Sequence, residues 1–373
     1  GSAATTGKAG LLENTPRLDY SGGASCPALL LEPQRSNLIT QSEYLNGISW
    51  NGKIGTSFDT NTTTSPEGLG NSALLKENSS NGSHFAYKDF NLTNGSTYTI
   101  SIFAKSNGAN RNLRFGDGGV GWSSGFSGVF NLTDGTATGG DIEPIGNGWY
   151  RCSVTGTTNA TTSRLIIYST LGTATSYQGD GSSGVFLYGF QIELGSYISS
   201  YIPNHSGGTI TRGADTCSKT NASSLIGQSE GTLFIECEYP RTGSGGSARK
   251  LMSVNDGTSA NLVDMYVNAG ANTLTARVRA NGGQFGAIGI SNNPTGIVKI
   301  AYAYKANDYV LYINGTQYGS VTSGGSFTFS SALDIIQIGD GEAGNDELGG
   351  EASQALLFKT RLSNADLATL TTI

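Results

Sequence analysis

The chain has 373 residues, a formal net charge of -6 and only 13% charged residues. No group of Lys and Arg approaches the density that contact with phosphate backbones requires, so nucleic acid is not an expected partner. No apolar run reaches the roughly 18 residues that span a bilayer, so membrane insertion is not expected either.

The composition indicates the fold class. There are 55 Gly and 2 Met, with Thr, Ser and Asn throughout and almost no helical periodicity, which is typical of short strands joined by tight turns. The length exceeds that of one typical core. We therefore expect an all-β protein of two consecutive antiparallel β-sandwiches with one short C-terminal helix.

Residues 1–36 carry little apolar periodicity, and we expect an extended N-terminal lead-in. Its run Ala28–Leu31 is apolar, and Pro33 cannot donate to a strand ladder. This combination predicts a short edge strand or a clamp along the surface of the domain that follows. The opening Gly-Ser resembles a cloning remnant, so we expect the chain to be a fragment of a longer protein.

Residues 37–217 are predicted to form the first sandwich. About ten short strand candidates are separated by turn dipeptides such as Asn94-Gly95 and Asn147-Gly148, a pattern that favours a jelly roll. Alternation over the last strand, Val185–Leu194, predicts that five side chains share one face: Phe186, Tyr188, Phe190, Ile192 and Leu194. Pro203 and Gly207-Gly208 then indicate a domain boundary.

Residues 225–373 are predicted to form the second sandwich. In T-L-T-A-R-V-R-A, Leu274, Ala276 and Val278 alternate inward. The sequence R-L-S-N-A-D-L-A-T-L-T predicts the closing helix, with Ser363 as N-cap, Asp366 three residues later, and Leu362 packed against Leu367.

Sugar recognition requires exposed aromatic faces beside planar polar groups. The glycine-rich segment Phe115–Gly128 offers Trp122 and Phe126 as stacking rings, with Asp117 as a polar partner. The alternative is that Trp122 folds back as a plug over the sandwich edge. Tyr177 and Asp180 lie in another loop that can converge on the same site.

In the second sandwich, Arg277 and Arg279 share an outward face. They could hold an acidic glycan or simply make the strand soluble. The loop Ile338–Glu347 offers oxygen ligands for calcium, with an ordinary solvated acidic turn as the alternative. The ligands are Asp340, Glu342, Asn345, Asp346 and Glu347.

No enzymatic activity is expected. Hydrolysis of a glycosidic bond uses two carboxylates that flank the bond. The nearest pattern is Glu236 and Glu238 on one predicted strand, with no intervening acid. His84 and His205 have no neighbouring acid in the sequence.

Two long segments carry a family resemblance. C-P-A-L-L-L-E-P-Q-R-S-N-L-I (Cys26–Ile39) and G-F-Q-I-E-L-G-S-Y-I-S-S-Y-I-P (Gly189–Pro203), followed by T-R-G-A-D, resemble a module of bacteriophage tail-fibre and other virion proteins. The strand pattern between them is similar to that of jelly-roll carbohydrate-binding modules. The second domain, with its Y-I-N-G strand and L-S-N-A-D-L helix, resembles concanavalin-A-like or laminin-G-like sandwiches.

These resemblances imply a virion appendage that binds bacterial surface polysaccharide and contacts other virion proteins, with homo-oligomerisation left open. Two alternatives stay open as well. One is a structural or decoration protein that makes only protein contacts, and the other is the binding region of a glycan-degrading enzyme.

Cys26 and Cys217 occupy matching flanks of the first domain. Because the entering and leaving segments of an antiparallel jelly roll tend to lie close, we consider a disulfide between them, closing a loop of about 190 residues. Virions assemble in a reducing cytoplasm, so this bond would form after lysis.

Overall fold

The computed structural model describes residues 16–19, 27–108, 110–123, 126–239, 248–268, 273–291, 294–340 and 348–373. The protein is all-β, with one short helix near its C-terminus. All strand pairs in these ranges are antiparallel. The chain divides into two compact units. The inserted unit is Arg35–Arg212, and the flanking unit comprises the residues before and after it.

The flanking unit begins with two short strands, β1 (Leu18–Asp19) and β2 (Ala28–Leu31). The inserted unit follows, and a single 3-10 turn, Leu45–Gly47, precedes most of its strands. Its strands are β3 (Arg35–Asn37), β4 (Gly52–Ile54), β5 (Thr56–Thr60), β6 (Ala73–Glu77), β7 (Asn81–Asn91), β8 (Thr97–Ser106), β9 (Arg111–Gly116), β10 (Gly128–Asn131), β11 (Thr136–Thr138), β12 (Asp141–Gly146), β13 (Trp149–Thr157), β14 (Thr162–Leu171), β15 (Ser176–Gln178), β16 (Gly184–Leu194) and β17 (Ile210–Arg212).

The flanking unit then resumes and contains a second 3-10 turn, Ser223–Leu225. Its remaining elements are β18 (Ser218–Lys219), β19 (Glu230–Glu238), β20 (Arg249–Asn255), β21 (Leu262–Asn268), β22 (Thr273–Ala280), β23 (Gly283–Ile290), β24 (Ile297–Lys305), β25 (Asp308–Ile313), β26 (Thr316–Val321), β27 (Ile335–Ile338), β28 (Gly350–Phe358) and the helix α1 (Asn364–Thr371).

The inserted unit packs two main sheets face to face. The front sheet has the order β11-β10-β9-β14-β7-β15, with β4 also paired to β7, and the back sheet has the order β12-β13-β8-β16-β6-β5. Their inner faces form one apolar core that includes Ile100, Ile102, Leu113, Phe115 and Ile167. Alternating side chains bury one face of each strand, which is the arrangement of a β-sandwich.

The flanking unit also contains two main sheets. Their orders are β1-β2-β28-β19-β24-β25-β26 and β18-β27-β20-β21-β22-β23. Leu274, Ala276 and Val278 of β22 are fully buried in the core between them, which confirms the predicted alternation. The outward apolar side chains of β19, β24 and β25 are covered by α1 through Leu367.

The helix α1 begins where the sequence predicts. The Ser363 hydroxyl accepts a hydrogen bond from the Asp366 N–H at 3.2 Å, and Leu362 packs against the cluster that contains Leu367. An N-cap of this kind satisfies one of the free N–H groups of the first turn. In the described part of the chain, no helix has the length and apolar character needed to cross a membrane.

The N-terminal strand β2 joins a different domain from the one that was expected. Leu29 pairs with Ala352 of β28, and Leu31 is buried in the core of the flanking unit. Residues of the predicted lead-in therefore supply backbone and side chains to the C-terminal sandwich. The compact division at Arg35 and Arg212 differs from the predicted ranges 1–36, 37–217 and 225–373 for this reason.

A β-bulge changes the predicted face of β16. The pairing register with β8 shifts between Tyr188 and Gln191, and Gly189 has a φ of 62°. Phe190 and Ile192 consequently point into the core, whereas Phe186 and Tyr188 lie in a separate cluster on the other face. The predicted common face is wrong because the extra residue of a bulge reverses the alternation beyond it.

The two segments that carry the virion-protein resemblance meet inside the inserted unit. The buried Asn37 side chain donates to the carbonyls of Phe190 and Ile202, at 3.1 and 2.9 Å. Arg35 lies 3.6 Å from the fully buried Glu193 carboxylate. Residues of the two resembling segments therefore contact each other, and these contacts connect the first and last parts of the inserted unit.

Candidate ligand-binding face

Trp122 and Phe126, the two predicted stacking rings, are not exposed. Their side chains are 5% and 4% accessible, and the rings stack on each other with centroids 4.0 Å apart. The indole N–H of Trp122 donates to the Arg164 carbonyl at 2.7 Å. A side chain at Gly156 would overlap the Phe126 ring and crowd the Trp122 ring. This glycine therefore leaves the space that both rings need. The prediction of exposed rings is wrong, and Trp122 is a buried part of the core.

Tyr177 belongs to a buried polar network. Its hydroxyl donates to Glu77 at 2.7 Å, and Arg111 makes two hydrogen bonds to the same carboxylate, at 2.6 and 2.7 Å. Burial alone would raise the pKa of Glu77, but the hydrogen bonds from Arg111, the Asp180 N–H and Tyr177 lower it. Burial raises the pKa of Tyr177. Charge pairing and burial make this network a structural feature.

Asp180 caps the loop beside this network. Its carboxylate accepts the backbone N–H groups of Ser182 and Ser183, both at 2.7 Å, and hydrogen bonds from Ser183 and Ser182 hold its pKa below the usual range. It also lies 3.5 Å from Arg111. The predicted Tyr177–Asp180 pair thus stabilises a loop and presents no open aromatic surface.

Asp117 lies in the turn that follows β9. Its carboxylate accepts the N–H of Gly119 at 3.0 Å, and its carbonyl accepts the N–H of Val120 at 3.2 Å. Gly118 and Gly119 both have positive φ, a backbone conformation that explains the glycine-rich sequence of the turn. The turn passes over Ile166, which places Asp117 beside the outer surface of the front sheet.

The outer surface of the front sheet carries an array of aromatic side chains. In the β7–β14–β9 ladder, Phe85 pairs with Tyr168, and Tyr168 pairs with Arg114. One pleat further along, Tyr87 pairs with Ile166. We call this surface the aromatic face and define it by Ile54, Phe85, Tyr87, Arg114, Ile166 and Tyr168.

The rings of the aromatic face are close together and half-buried. The centroids of Phe85 and Tyr168 are 5.0 Å apart, and those of Phe85 and Tyr87 are 6.3 Å apart. A Cβ on Gly52 of the neighbouring strand would overlap the Tyr87 ring. Because glycine leaves space there, the Tyr87 ring lies directly over the backbone of Gly52.

One margin of the aromatic face is an ion pair. Arg164 donates two hydrogen bonds to Asp89, at 2.7 and 2.9 Å, and its guanidinium carbon lies 4.4 Å from the Tyr87 ring centroid. The hydrogen bonds from Arg164 lower the pKa of Asp89. The pKa of Tyr168 is raised by burial and by the charge of Asp117, with Arg114 opposing. Both charges therefore act on the Tyr168 hydroxyl.

In the flanking unit, Arg277 is engaged with a buried acid. Its Nε donates to Asp264 at 3.0 Å, and Lys250 pairs with the same carboxylate. The ring of Tyr266 contacts both cations, at 4.7 and 5.3 Å. Within the described ranges, Arg279 donates to the carbonyl of Gly282 at 3.4 Å. Both arginines lie on the partly exposed face of β22, as predicted, and the structure ties Arg277 to Asp264. A shared acidic-glycan site at the two arginines stays a prediction.

The predicted calcium ligands lie mostly beyond the described residues. Asp340 is described and buried, whereas Glu342, Asn345, Asp346 and Glu347 are outside the described ranges. Where the structure describes the chain, no group of three or more His, Cys, Asp or Glu side chains could hold a metal ion. The calcium site stays a prediction, as does the Cys26–Cys217 disulfide, because Cys26 is also outside the described residues.

Sequence reasoning missed Phe85, Tyr87, Tyr168 and Arg114. Short strands were predicted throughout this unit, but the prediction did not include which face of β7 is buried. The sequence does show that Ala86 and Phe90 lie on one face of the strand and that Phe85 and Tyr87 lie on the opposite face. Only the structure decides that Ala86 and Phe90 face the core.

No family model matches the chain, and no curated protein matches it. Among solved structures, it is similar to the carbohydrate-binding module of a Ruminococcus gnavus IT-sialidase, with 17% identity over 40% of this chain and 86% of that one, at a TM-score of 0.34. It is also similar to the NanB sialidase of Streptococcus pneumoniae, with 14% identity over 42% of this chain and 26% of that one, at a TM-score of 0.34. A pentraxin of Limulus polyphemus has 18% identity over 39% of this chain and 70% of that one, at a TM-score of 0.29. At these identities and TM-scores, the comparisons carry no argument about what this chain binds.

Proposed function

We propose that the protein is a glycan-binding protein without enzymatic activity, and that the aromatic face of the inserted unit is its binding surface. One observation carries the proposal. Strand β7 directs Ala86 into the core and Phe85 and Tyr87 outward. Large aromatic side chains usually occupy the inward positions of a strand, so two of them on the outer face indicate a ligand.

The chemistry of the face suits a sugar. The C–H faces of a pyranose pack against the rings of Phe85, Tyr87 and Tyr168, while hydroxyl groups need polar partners at the margin. Arg114 and Asp117 supply a donor and an acceptor beside Tyr168.

The finer proposal is that the glycan is a bacterial surface polysaccharide and that the protein is part of a phage tail fibre or another virion appendage. It rests on the resemblance of Cys26–Ile39 and Gly189–Pro203 to virion proteins. The test is binding of labelled protein to candidate host cells before and after their surface polysaccharide is removed. Equal binding to both would contradict it.

A purely structural role is the second candidate. Aromatic and arginine side chains are also enriched at protein interfaces, so the same face could contact another virion protein or a second copy of the chain. The binding region of a glycan-degrading enzyme is the third candidate. Calcium at Asp340 and the neighbouring acidic loop is a separate proposal, and titration calorimetry that shows no heat would contradict it.

A glycan array tests the main proposal. Wild-type protein should bind a subset of glycans, and Tyr168→Ala should weaken that binding roughly tenfold, because stacking on one ring contributes about 1 kcal/mol or more. Tyr44→Ala is the matched control, since Tyr44 is an exposed aromatic residue of the same unit and lies off the aromatic face. Absence of glycan binding, or an equal loss in both variants, would overturn the proposal.

A further inference from the structure

Arg114 is the arginine of the aromatic face that has no protein partner. Among the described residues its guanidinium makes no ion pair or hydrogen bond, and its Nε is shielded from solvent with no acceptor. A buried N–H donor without an acceptor is unfavourable by about 1–3 kcal/mol. A buried donor without an acceptor requires an explanation, and a bound ion or ligand is one.

The neighbouring arginines of the inserted unit are neutralised by acids. Arg164 binds Asp89 through two hydrogen bonds, and Arg111 binds the buried Glu77 in the same manner. Asp117 influences Tyr168 electrostatically but forms no ion pair with Arg114 in the described structure. Arg114 therefore lies beside an aromatic ring without an ion pair to any carboxylate of the described residues.

We propose that the aromatic face selects acidic oligosaccharides, with a sugar carboxylate bound to the Arg114 guanidinium and the sugar ring packed on Tyr168 and Phe85. This inference rests on the proposed function. A guanidinium presents a planar fork of N–H donors that matches a carboxylate with two parallel hydrogen bonds. The pairing of Tyr168 with Arg114 across adjacent strands puts the stacking ring and the fork side by side.

The net charge of the chain indicates that an acidic glycan would be held by a local contact and not by long-range electrostatic attraction. With a net charge of -6, the protein as a whole repels a polyanion at long range. Preference for an acidic glycan must therefore come from a specific cation at the binding surface. Arg114 is the group on the aromatic face that meets this requirement.

The experiment compares acidic glycans with their neutral counterparts. A panel of uronic-acid-containing capsular polysaccharide fragments is prepared in native form and after reduction of the carboxyl group to a hydroxymethyl group, and binding to the full chain is measured by calorimetry. Wild-type protein should bind at least one native fragment roughly tenfold more tightly than its reduced form. Arg114→Gln should abolish this preference, so that the native and the reduced fragment bind the variant with equal affinity.

Two further variants sharpen the test. Arg114→Lys retains the charge without the fork and should keep only part of the preference. Lys105→Gln removes a half-buried cation of the same unit, one that donates to the Asn147 carbonyl, and should change nothing. Equal affinity of wild type for native and reduced fragments, or binding of neutral glycans alone, would overturn the acidic specificity and leave glycan binding intact. Binding of no glycan of either kind would instead overturn the proposed function.

Discussion

The backbone N–H of Glu32 donates a 2.8 Å hydrogen bond to the carboxylate of Asp215, a residue 183 positions away. The N–H of Asp215 donates in return to the Glu32 carbonyl at 2.9 Å, and Arg17 pairs with both side chains. These contacts connect the two segments of the flanking unit, just before the chain enters the inserted unit and just after it leaves that unit. The protein is one sandwich inserted into a loop of another.

Leu31→Ala should destabilise the flanking unit. Leu31 is 2% accessible and lies in its core, and deletion of a buried leucine side chain costs about 2–5 kcal/mol. Urea unfolding of the full chain should show this loss. Leu18→Ala is the control, because Leu18 is 46% accessible and should change stability by less than about 0.5 kcal/mol. Similar effects for the two variants would show that β2 does not contribute to the core.

Limited proteolysis should cut the exposed segment His205–Thr209 and leave two fragments that stay together. The N-terminal fragment carries β2, whose backbone pairs with β28 in the C-terminal fragment. The fragments should therefore co-elute in native size-exclusion chromatography and separate in denaturant. In Leu31→Ala they should separate more readily. Separation of the wild-type fragments in native buffer would contradict the placement of β2.

Stability of the inserted unit should depend on pH through Glu77. Because the pKa of Glu77 is lowered in the folded protein, its contribution is present above the unfolded value of about 4.3 and is lost as the pH falls through the folded pKa. Glu77→Gln should destabilise at neutral pH by about 3–5 kcal/mol, because the buried Arg111 loses the charged carboxylate that accepts two of its hydrogen bonds.

The measurement is the melting temperature between neutral and acidic pH. The difference between wild type and Glu77→Gln should shrink as the pH falls. Asp59→Asn is the control, since Asp59 forms a partly exposed pair with Lys76 at 2.9 Å, and should cost less than about 1 kcal/mol. A difference that stays constant with pH would contradict the role of the ionised Glu77.

Thiol counting tests the Cys26–Cys217 disulfide. Burial raises the pKa of Cys152 and raises that of Cys237 to about 12, so neither should react with a thiol reagent until the protein unfolds. In denatured, unreduced protein we expect two reactive thiols if the bond has formed. Four reactive thiols would exclude it, and peptide mapping would identify the linked pair.

Much of the fold follows from local sequence patterns. The alternation in β22 and the Ser363 cap predicted elements that the structure contains, because each depends on residues within one turn or strand. The bulge at Gly189 could not be predicted in this way. It depends on the Phe103 ring of the adjacent strand, which occupies the space that a side chain at position 189 would need.

The candidate site was harder to predict because burial is decided by tertiary packing. Trp122 in a glycine-rich loop suggested exposure, but Gly156, more than thirty positions further along the chain, provides the space into which its ring folds. Conversely, Phe85 and Tyr87 lie in a regular strand, where aromatic side chains are usually assigned to the core. Asp117 alone among the predicted sugar ligands lies beside the surface that the structure indicates.

The central claim is that glycan binds the aromatic face, and fluorine NMR of protein labelled with fluorotyrosine tests it most directly. The resonances of Tyr87 and Tyr168, assigned by Tyr→Phe substitution, should shift on addition of a glycan that the protein binds. Tyr302, fully buried in the flanking unit, should not respond. Shifts confined to tyrosines outside the aromatic face, such as Tyr266 or Tyr318, would contradict the account.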